Sequence, residues 1–227
     1  MSIVSNIKKQ IEANNPIYLN KNRNMRKRLT NTSFTLLTPN CLGGILYHDL
    51  GLRFQSPTIN LMMTQTDFLK FVFNLQTYKK GTFRFLEHSV GECPLAILSS
   101  DGVDDITINF THYKDNESSE KKWHERFERI DYDNIFILLQ ERDGITKNDI
   151  IKLSNLKVRG IVVFTCNQYD DIPYSVYMDK YHMDGEVGNI LQKNHLSGTR
   201  EYEKFFDFVK WFDEADGYPY EVKNYKL

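Results

Sequence analysis

The sequence predicts an α/β protein with a largely parallel sheet flanked by helices, and three observations predict it. Between residues 34 and 165, apolar runs of strand length alternate with segments of helical periodicity. Two of the runs, Ile135-Phe136-Ile137-Leu138-Leu139 and Ile161-Val162-Val163-Phe164, are apolar at every position, as strands buried on both faces are. Two further segments carry aromatic stripes at helical spacing, Trp123/Phe127/Ile130 and Phe205/Phe208/Val209/Phe212, which read as faces packed on a core rather than as ligand boxes.

Taken in order, the first element is a short amphipathic helix built on Ile3, Val4, Ile7 and Ile11 and ending at Asn14-Asn15-Pro16. Lys21, Arg23, Arg26, Lys27 and Arg28 follow with no acidic residue among them, so residues 1–30 form a helical, basic segment ahead of an α/β domain at 31–227. Strands are expected at Phe34–Thr38, Thr82–Leu86, Leu95–Ser99, Ile106–Thr111, Ile135–Gln140, Gly160–Thr165 and Ser175–Met178. Helices are expected at Cys41–Leu50, Asp67–Leu75, Glu117–Ile130, Lys147–Leu156 and Glu201–Ala215. Asp67 and Thr146 read as N-caps and Gly51 as the residue just past a helix end. Tyr78-Lys79-Lys80-Gly81 marks a sub-boundary near 80, which would divide the domain into two small α/β subdomains.

Charge removes some classes of function. Lys plus Arg number 29 against 30 Asp plus Glu, a net charge of −1, so a globally basic nucleic-acid binder is excluded and no nucleic acid is expected as partner. No apolar run approaches the ~18 residues of a membrane span, and the amino terminus lacks the apolar centre of a secretory signal. Cys41, Cys93 and Cys166 are too scattered for a disulfide framework or a zinc pair, which suits a reducing cytoplasm. The basic run nonetheless sits against a net acidic remainder. It reads either as a solvated helix face or as a local contact of Arg23, Arg26, Lys27 and Arg28 with an anionic surface, such as the inner face of a membrane.

Sites in open α/β sheets gather at the carboxyl ends of the strands, so the first polar residues past each expected strand are the candidates. After Phe34–Thr38 come Asn40, Cys41, Gly43 and Gly44. Asn40 capping the next helix would place Cys41 in its first turn, where the dipole stabilises a thiolate. The amides of residues 42–44 could hold an oxyanion, and the two glycines leave room for a ligand or another backbone. His112 follows the strand ending at Thr111 and is placed to serve as general base toward Cys41. His48 and His124 read as poorer candidates, facing elsewhere. Glu141-Arg142-Asp143 follows Ile135–Gln140: either carboxylate could orient His112, and Arg142 could hold a phosphate or carboxylate. Ser100, Asp101, Cys166 and Asn167 could extend the same rim. Asp131-Tyr132-Asp133 has the D-x-D form of metal and sugar-nucleotide sites but precedes a strand. No dinucleotide fingerprint, P-loop, nucleophile elbow or H-E-x-x-H occurs, and no metal ligand set or cofactor is assigned.

The stretch Asn31–Leu61, with its Asn40-Cys41…Gly43-Gly44…Tyr47…Leu50-Gly51-Leu52…Ser56-Pro57-Thr58 spacing, resembles a bacterial family known as domain of unknown function 1919. The resemblance continues through Asp67–Phe71, Ile108–Lys114, Lys122–Asn134 and Arg142-Asp143-Gly144, and spans about Arg23 to Trp211. Members often carry the label of exopolysaccharide biosynthesis proteins. The resemblance therefore implies a setting in cell-surface polysaccharide assembly and a small-molecule or glycan-precursor substrate, without assigning a reaction. It is compatible with an α/β fold. It places Cys41, His112 and Asp143 inside recognisable blocks, and it makes the D-x-D match at 131–133 look accidental.

Three readings follow. In the first, a transferase uses Cys41 as nucleophile for acyl transfer, with His112 as proton shuttle, Asp143 or Glu141 as its orienter, and Asn40, Gly43, Gly44, Arg142 and Asn167 around the substrate. In the second, a metal-dependent glycosyltransferase uses the acidic strand ends and Arg142 on a sugar nucleotide. In the third, the chain is a non-enzymatic partner of a polysaccharide assembly machine, held at the membrane by its basic run.

Overall fold

The structure, a computed structural model, describes residues 15–87, 92–179, 182–194 and 197–227. The helix expected over Ile3–Ile11 lies outside these residues. The expected stop at Asn15-Pro16 is a start: Asn15 caps helix α1 (Pro16–Arg28), accepting from the Ile17 amide at 2.9 Å. Proline suits the first helical position because its missing N–H has no intrahelical partner there.

The sheet elements are β1 (Thr35–Leu37), β2 (Thr82–Phe85), β3 (Leu95–Ser99), β4 (Ile106–Asn109), β5 (Ile135–Gln140), β6 (Gly160–Thr165), β7 (Ser175–Tyr177), β8 (His182–Met183) and β9 (Glu186–Val187). The helices after α1 are α2 (Leu42–Leu50), α3 (Gln65–Phe73), α4 (Leu75–Tyr78), α5 (Asn116–Phe127), α6 (Lys147–Lys152) and α7 (Phe208–Glu214).

The α/β class holds, with a parallel sheet of order β1-β5-β6-β7. Strands β5 and β6 are buried at every position, as their unbroken apolar runs require. The three strands between β1 and β5 in sequence do not join that sheet. β2, β3 and β4 form a separate antiparallel meander, with Thr82 opposite Ser99 and Leu95 opposite Asn109. The short turn after Asp101-Gly102 allows a hairpin, whereas a parallel return needs a crossover of a dozen residues or more. An isolated bridge between Met62 and Asn109 ties this meander to the loop after α2.

Both aromatic stripes serve the core. Trp123 and Phe127 of α5 pack on Phe71, and Trp123 also meets Phe83 of the meander. Phe212 of α7 stacks on Phe34 at 4.0 Å and meets Phe136 of β5 edge-on. Burying each such ring contributes roughly 1.5–3 kcal/mol. The last expected helix is broken, however. A 3₁₀ turn at Glu201–Lys204 ends at Phe205, and Asp207 caps α7 through the Lys210 amide. Asp in that position competes for backbone donors and so starts a helix rather than continuing one. Likewise Thr64, not Asp67, caps α3, while Thr146 is the expected N-cap, closed into a capping box by Asp149, and Gly51 adopts φ +71°.

The outer edge of β1 is closed by side chains. The Tyr47 hydroxyl accepts from the Leu36 amide and donates to the Phe34 carbonyl, and Thr58 Oγ1 accepts from the Thr38 amide. These bonds give the Ser56-Pro57-Thr58 block a physical role, since they fasten the loop after α2 to the end of β1.

Candidate functional site

The carboxyl ends of β1, β5 and β6 are neighbours, so Asn40-Cys41, Glu141-Arg142-Asp143 and Cys166-Asn167 share one rim. Ser100 and Asp101 do not reach it, because they follow a strand of the meander; Ser100 hydrogen-bonds to the Thr77 carbonyl instead. His112 also follows a meander strand, yet it does reach Cys41. Cys41 Sγ lies 3.4 Å from His112 Nε2, across 71 residues of sequence.

The loop between α2 and α3 makes that approach. Asn60 adopts φ +64°, and its carbonyl accepts from the His112 amide at 3.3 Å. Its side chain presses on α2: a Cβ on Gly44 would lie 3.2 Å from Asn60 Oδ1. At Gly43 a Cβ would lie 2.9 Å from Thr38 Oγ1. Both glycines are buried, so the room they leave is filled by the protein's own loop and not left for a ligand. Beneath the loop, Arg126 donates to the Ile59 carbonyl at 2.9 Å and to the Tyr113 hydroxyl, and Tyr113 donates to the same carbonyl. Arg126 is 7% exposed, so it acts as an internal strut for the segment that carries Asn60 and for the residue after His112.

Two of the three amides expected to form an oxyanion hole are engaged. Leu42 donates to Asn40 Oδ1 at 3.0 Å and Gly43 to Thr38 Oγ1 at 3.2 Å. Cys41 itself occupies the N-cap position of α2, one place before its first turn. Burial pushes the Cys41 thiol above its ordinary range, with its own backbone amide pulling weakly the other way. The resting sulfur is thus a thiol, not a preformed thiolate. Asn40 Nδ2 makes only a long contact, 3.4 Å, to Gln140 Oε1.

The two carboxylates are directed away from His112. Glu141 is 6% exposed and accepts from the Cys166 and Asn167 amides at 2.8 and 3.1 Å, from Asn167 Nδ2 at 3.0 Å, from Cys166 Sγ and from the Tyr169 hydroxyl. Burial alone would raise its pKa, but these hydrogen bonds, led by Tyr169 and Asn167, outweigh burial and hold it below the usual carboxylate range. In return, burial and then the hydrogen bond to Glu141 push the Cys166 thiol and the Tyr169 hydroxyl up to about 12 each. Asn167 is therefore a ligand of Glu141. Asp143, at φ +54°, accepts from the Gln65 amide at the start of α3 and sits 3.3 Å from Arg142 Nε, while its own amide donates to Glu186. A carboxylate there is favoured by the α3 dipole.

Arg142 and Asn40 line a cleft of about 300 Å³ with Met62, Met63, Gln65 and Asn109. Of these, Gln65 and Asn109 carry no signal in the sequence that would single them out. Asn60 offers a weak one, because Asn is among the few residues that accept a positive φ.

The remaining candidates are dispersed. His48 points outward, 3.2 Å from Asp49, and His124 lies on the exposed face of α5 beside Glu120. Asp131 and Asp133 precede β5, on the opposite rim from Cys41. No group of three His, Cys, Asp or Glu fit to hold a metal occurs among the described residues. In the basic run, Arg26 donates to the Asp49 and His48 carbonyls at the end of α2, Arg28 pairs with Asp207, and Lys21 pairs with Glu203 at 2.6 Å. Much of the run thus holds α1 to the body, leaving Arg23 and Lys27 without an ion pair among the described residues. No described helix is long and apolar enough to cross a membrane.

A relative from Haemophilus influenzae, described as an uncharacterized protein, is 32% identical over 194 residues, 86% of this chain and 91% of its own length. The family model described as "Domain of unknown function (DUF1919)" matches residues 12–213, and with the resemblance of Asn31–Leu61 now anchored in a fold that uses those residues, the chain belongs to the DUF1919 family.

Proposed function

We propose that the chain is a transferase that moves an acyl group through Cys41. The supporting observation is the 3.4 Å approach of Cys41 Sγ to His112 Nε2, with Cys41 next in sequence to Asn40, which lines the Arg142 cleft. His112 takes the thiol proton as sulfur attacks the acyl carbonyl, and returns it to the leaving group as the carbon–leaving-group bond breaks. A hydroxyl of the acceptor then attacks the thioester, losing its proton to His112, and the thiol is restored. Asn40 Nδ2 is the side-chain donor nearest in sequence for the oxyanion, since the Leu42 and Gly43 amides are engaged. Arg142 holds an anionic group of the donor, and Met62 and Met63 supply an apolar wall.

A glycan precursor as acceptor and an exopolysaccharide setting belong to this reading through the family resemblance alone, and a cytoplasmic location near the membrane through the scattered cysteines and the basic run. The metal-dependent glycosyltransferase and the membrane-held partner have no comparable geometry in their favour.

The test is acylation by p-nitrophenyl acetate, read by intact mass and peptide mapping. Wild-type chain should carry one acetyl group on Cys41, and His112→Ala should slow that acylation by about 10²-fold. Label on Cys93 alone, or a His112→Ala rate equal to wild type, would overturn the reading.

A further inference from the structure

We propose a second site, a glycan-binding groove on the rim of the parallel sheet opposite Cys41. The groove measures about 830 Å³ and lies at the amino ends of β5 and β6. That volume falls within the range of small-ligand sites. One wall is the turn 154–159, the other the loop 216–220, and Tyr132 and Asp133 close the end.

The walls are laced together. Gly217, at φ +101°, donates to the Arg159 carbonyl at 2.9 Å, and Arg159 Nε donates to the Ala215 carbonyl at 2.7 Å. The buried Tyr220, at φ +49°, accepts from the Val158 amide at 3.1 Å and donates to the Leu156 carbonyl. The shape is therefore set before any ligand arrives, which lowers the ordering cost of binding.

Two rings stand open in this frame. Tyr218 is 74% exposed and is propped edge-on against Tyr220 at 5.7 Å; Tyr132 is 39% exposed. In the same groove the side chains of Asp133, Asn155, Lys157 and Asp216 make no hydrogen bond or ion pair among the described residues. Flat rings flanked by uncommitted carboxylates, an amide and an amine match a pyranose. Its C–H face lies on the electron-rich ring, and its adjacent hydroxyls donate to a carboxylate and accept from an amine.

Charge and hydrogen bonding decide between ligand classes. Asp133 and Asp216 balance Lys157 and Arg159, so a nucleotide or other polyanion gains nothing from the field of the groove. A proline-rich peptide would also stack on tyrosines, but it offers carbonyl acceptors and few donors. It would leave both carboxylates without partners. A neutral oligosaccharide satisfies rings and carboxylates together.

The inference does not depend on Cys41. It is tested on the full chain with ¹³C-labelled tyrosine rings, titrated by NMR with cellohexaose, maltohexaose, an N-acetylglucosamine hexamer, a galactose hexamer and a proline decamer. At least one of the four sugars should shift the Tyr218 and Tyr132 resonances with saturation. Tyr218→Ala and Asp216→Asn should each weaken that sugar about tenfold, while Cys41→Ser leaves binding unchanged. Because Tyr218 is mostly exposed, its replacement is not expected to unfold the chain, and an unchanged melting curve checks this. Four sugars that leave both rings unmoved at millimolar concentration, capture of the proline decamer instead, or sugar binding that survives Tyr218→Ala would each overturn the proposal.

Discussion

Glu141→Gln keeps the shape of a buried side chain and removes its charge, so it separates an anchor from a catalytic group. The glutamine oxygen can still face the Cys166 and Asn167 amides. Its NH₂ group then meets the Tyr169 hydroxyl, which can turn to accept, and Asn167 Nδ2, which cannot. Hydrogen bonds to a charged group contribute about 1.5–3 kcal/mol and neutral ones about 0.5–1.5. Two weakened bonds and one opposed donor therefore cost about 2–4 kcal/mol at neutral pH. For a chain of this size that is roughly 10 °C in melting temperature. The sign with pH is fixed by the direction of the shift. The folded carboxyl lies below its ordinary value, so its contribution is complete above about pH 4.3 and is lost as pH falls through the folded value. Urea unfolding read by fluorescence of the buried Trp123 and Trp211 measures both effects. The variant should unfold at lower urea at pH 7, and the gap should close in acid. Equal midpoints at pH 7, or a gap that persists in acid, would refute the assignment of Glu141 as the anchor of the β6 end.

Three further outcomes are expected. Arg126→Met removes the donors to Ile59 and Tyr113 and the stacking over Phe54 at 5.4 Å. It should cost about 2–4 kcal/mol in urea unfolding, and slow Cys41 acylation by loosening the loop that carries Asn60. Gly44→Ala places a methyl 3.2 Å from Asn60 Oδ1; the helix gains about 1 kcal/mol of propensity, so stability should move little while Cys41 acylation falls. Gly160→Ala drives a methyl to 2.7 Å from the Phe136 ring and 3.0 Å from Trp211, where buried rings cannot yield, and should lower stability by about 1–3 kcal/mol without a selective effect on acylation.

Strands were legible where burial imposes one composition. Ile135–Gln140 and Gly160–Thr165 match their expected bounds because both faces are covered, every position is buried and the run through the middle of each is apolar. The stripe through Trp123 and Phe127 was legible for the same reason. The rim could be listed residue by residue, but its pairings could not. Whether the acid after β5 points to His112 or to the end of β6 depends on which strand lies beside β5, and that is a long-range choice. Glu141 looked like part of a triad; with β6 as neighbour, its nearest unsatisfied donors are the Cys166 and Asn167 amides. The basic run looked like one surface, yet Arg26 and Arg28 are recruited by carbonyls and a carboxylate brought close only by folding.

The α/β class, the identity of the buried strands and the residue types at the strand ends are written in the chain's local pattern, because periodicity and burial are local demands. Tertiary structure decided that β2, β3 and β4 form their own antiparallel sheet, and that His112 arrives at Cys41 from that sheet through Asn60. Those outcomes depend on contacts between residues tens of positions apart. Closing such contacts satisfies backbone groups and fills the space left by Gly43 and Gly44, and no local pattern of residues encodes which partner will do so.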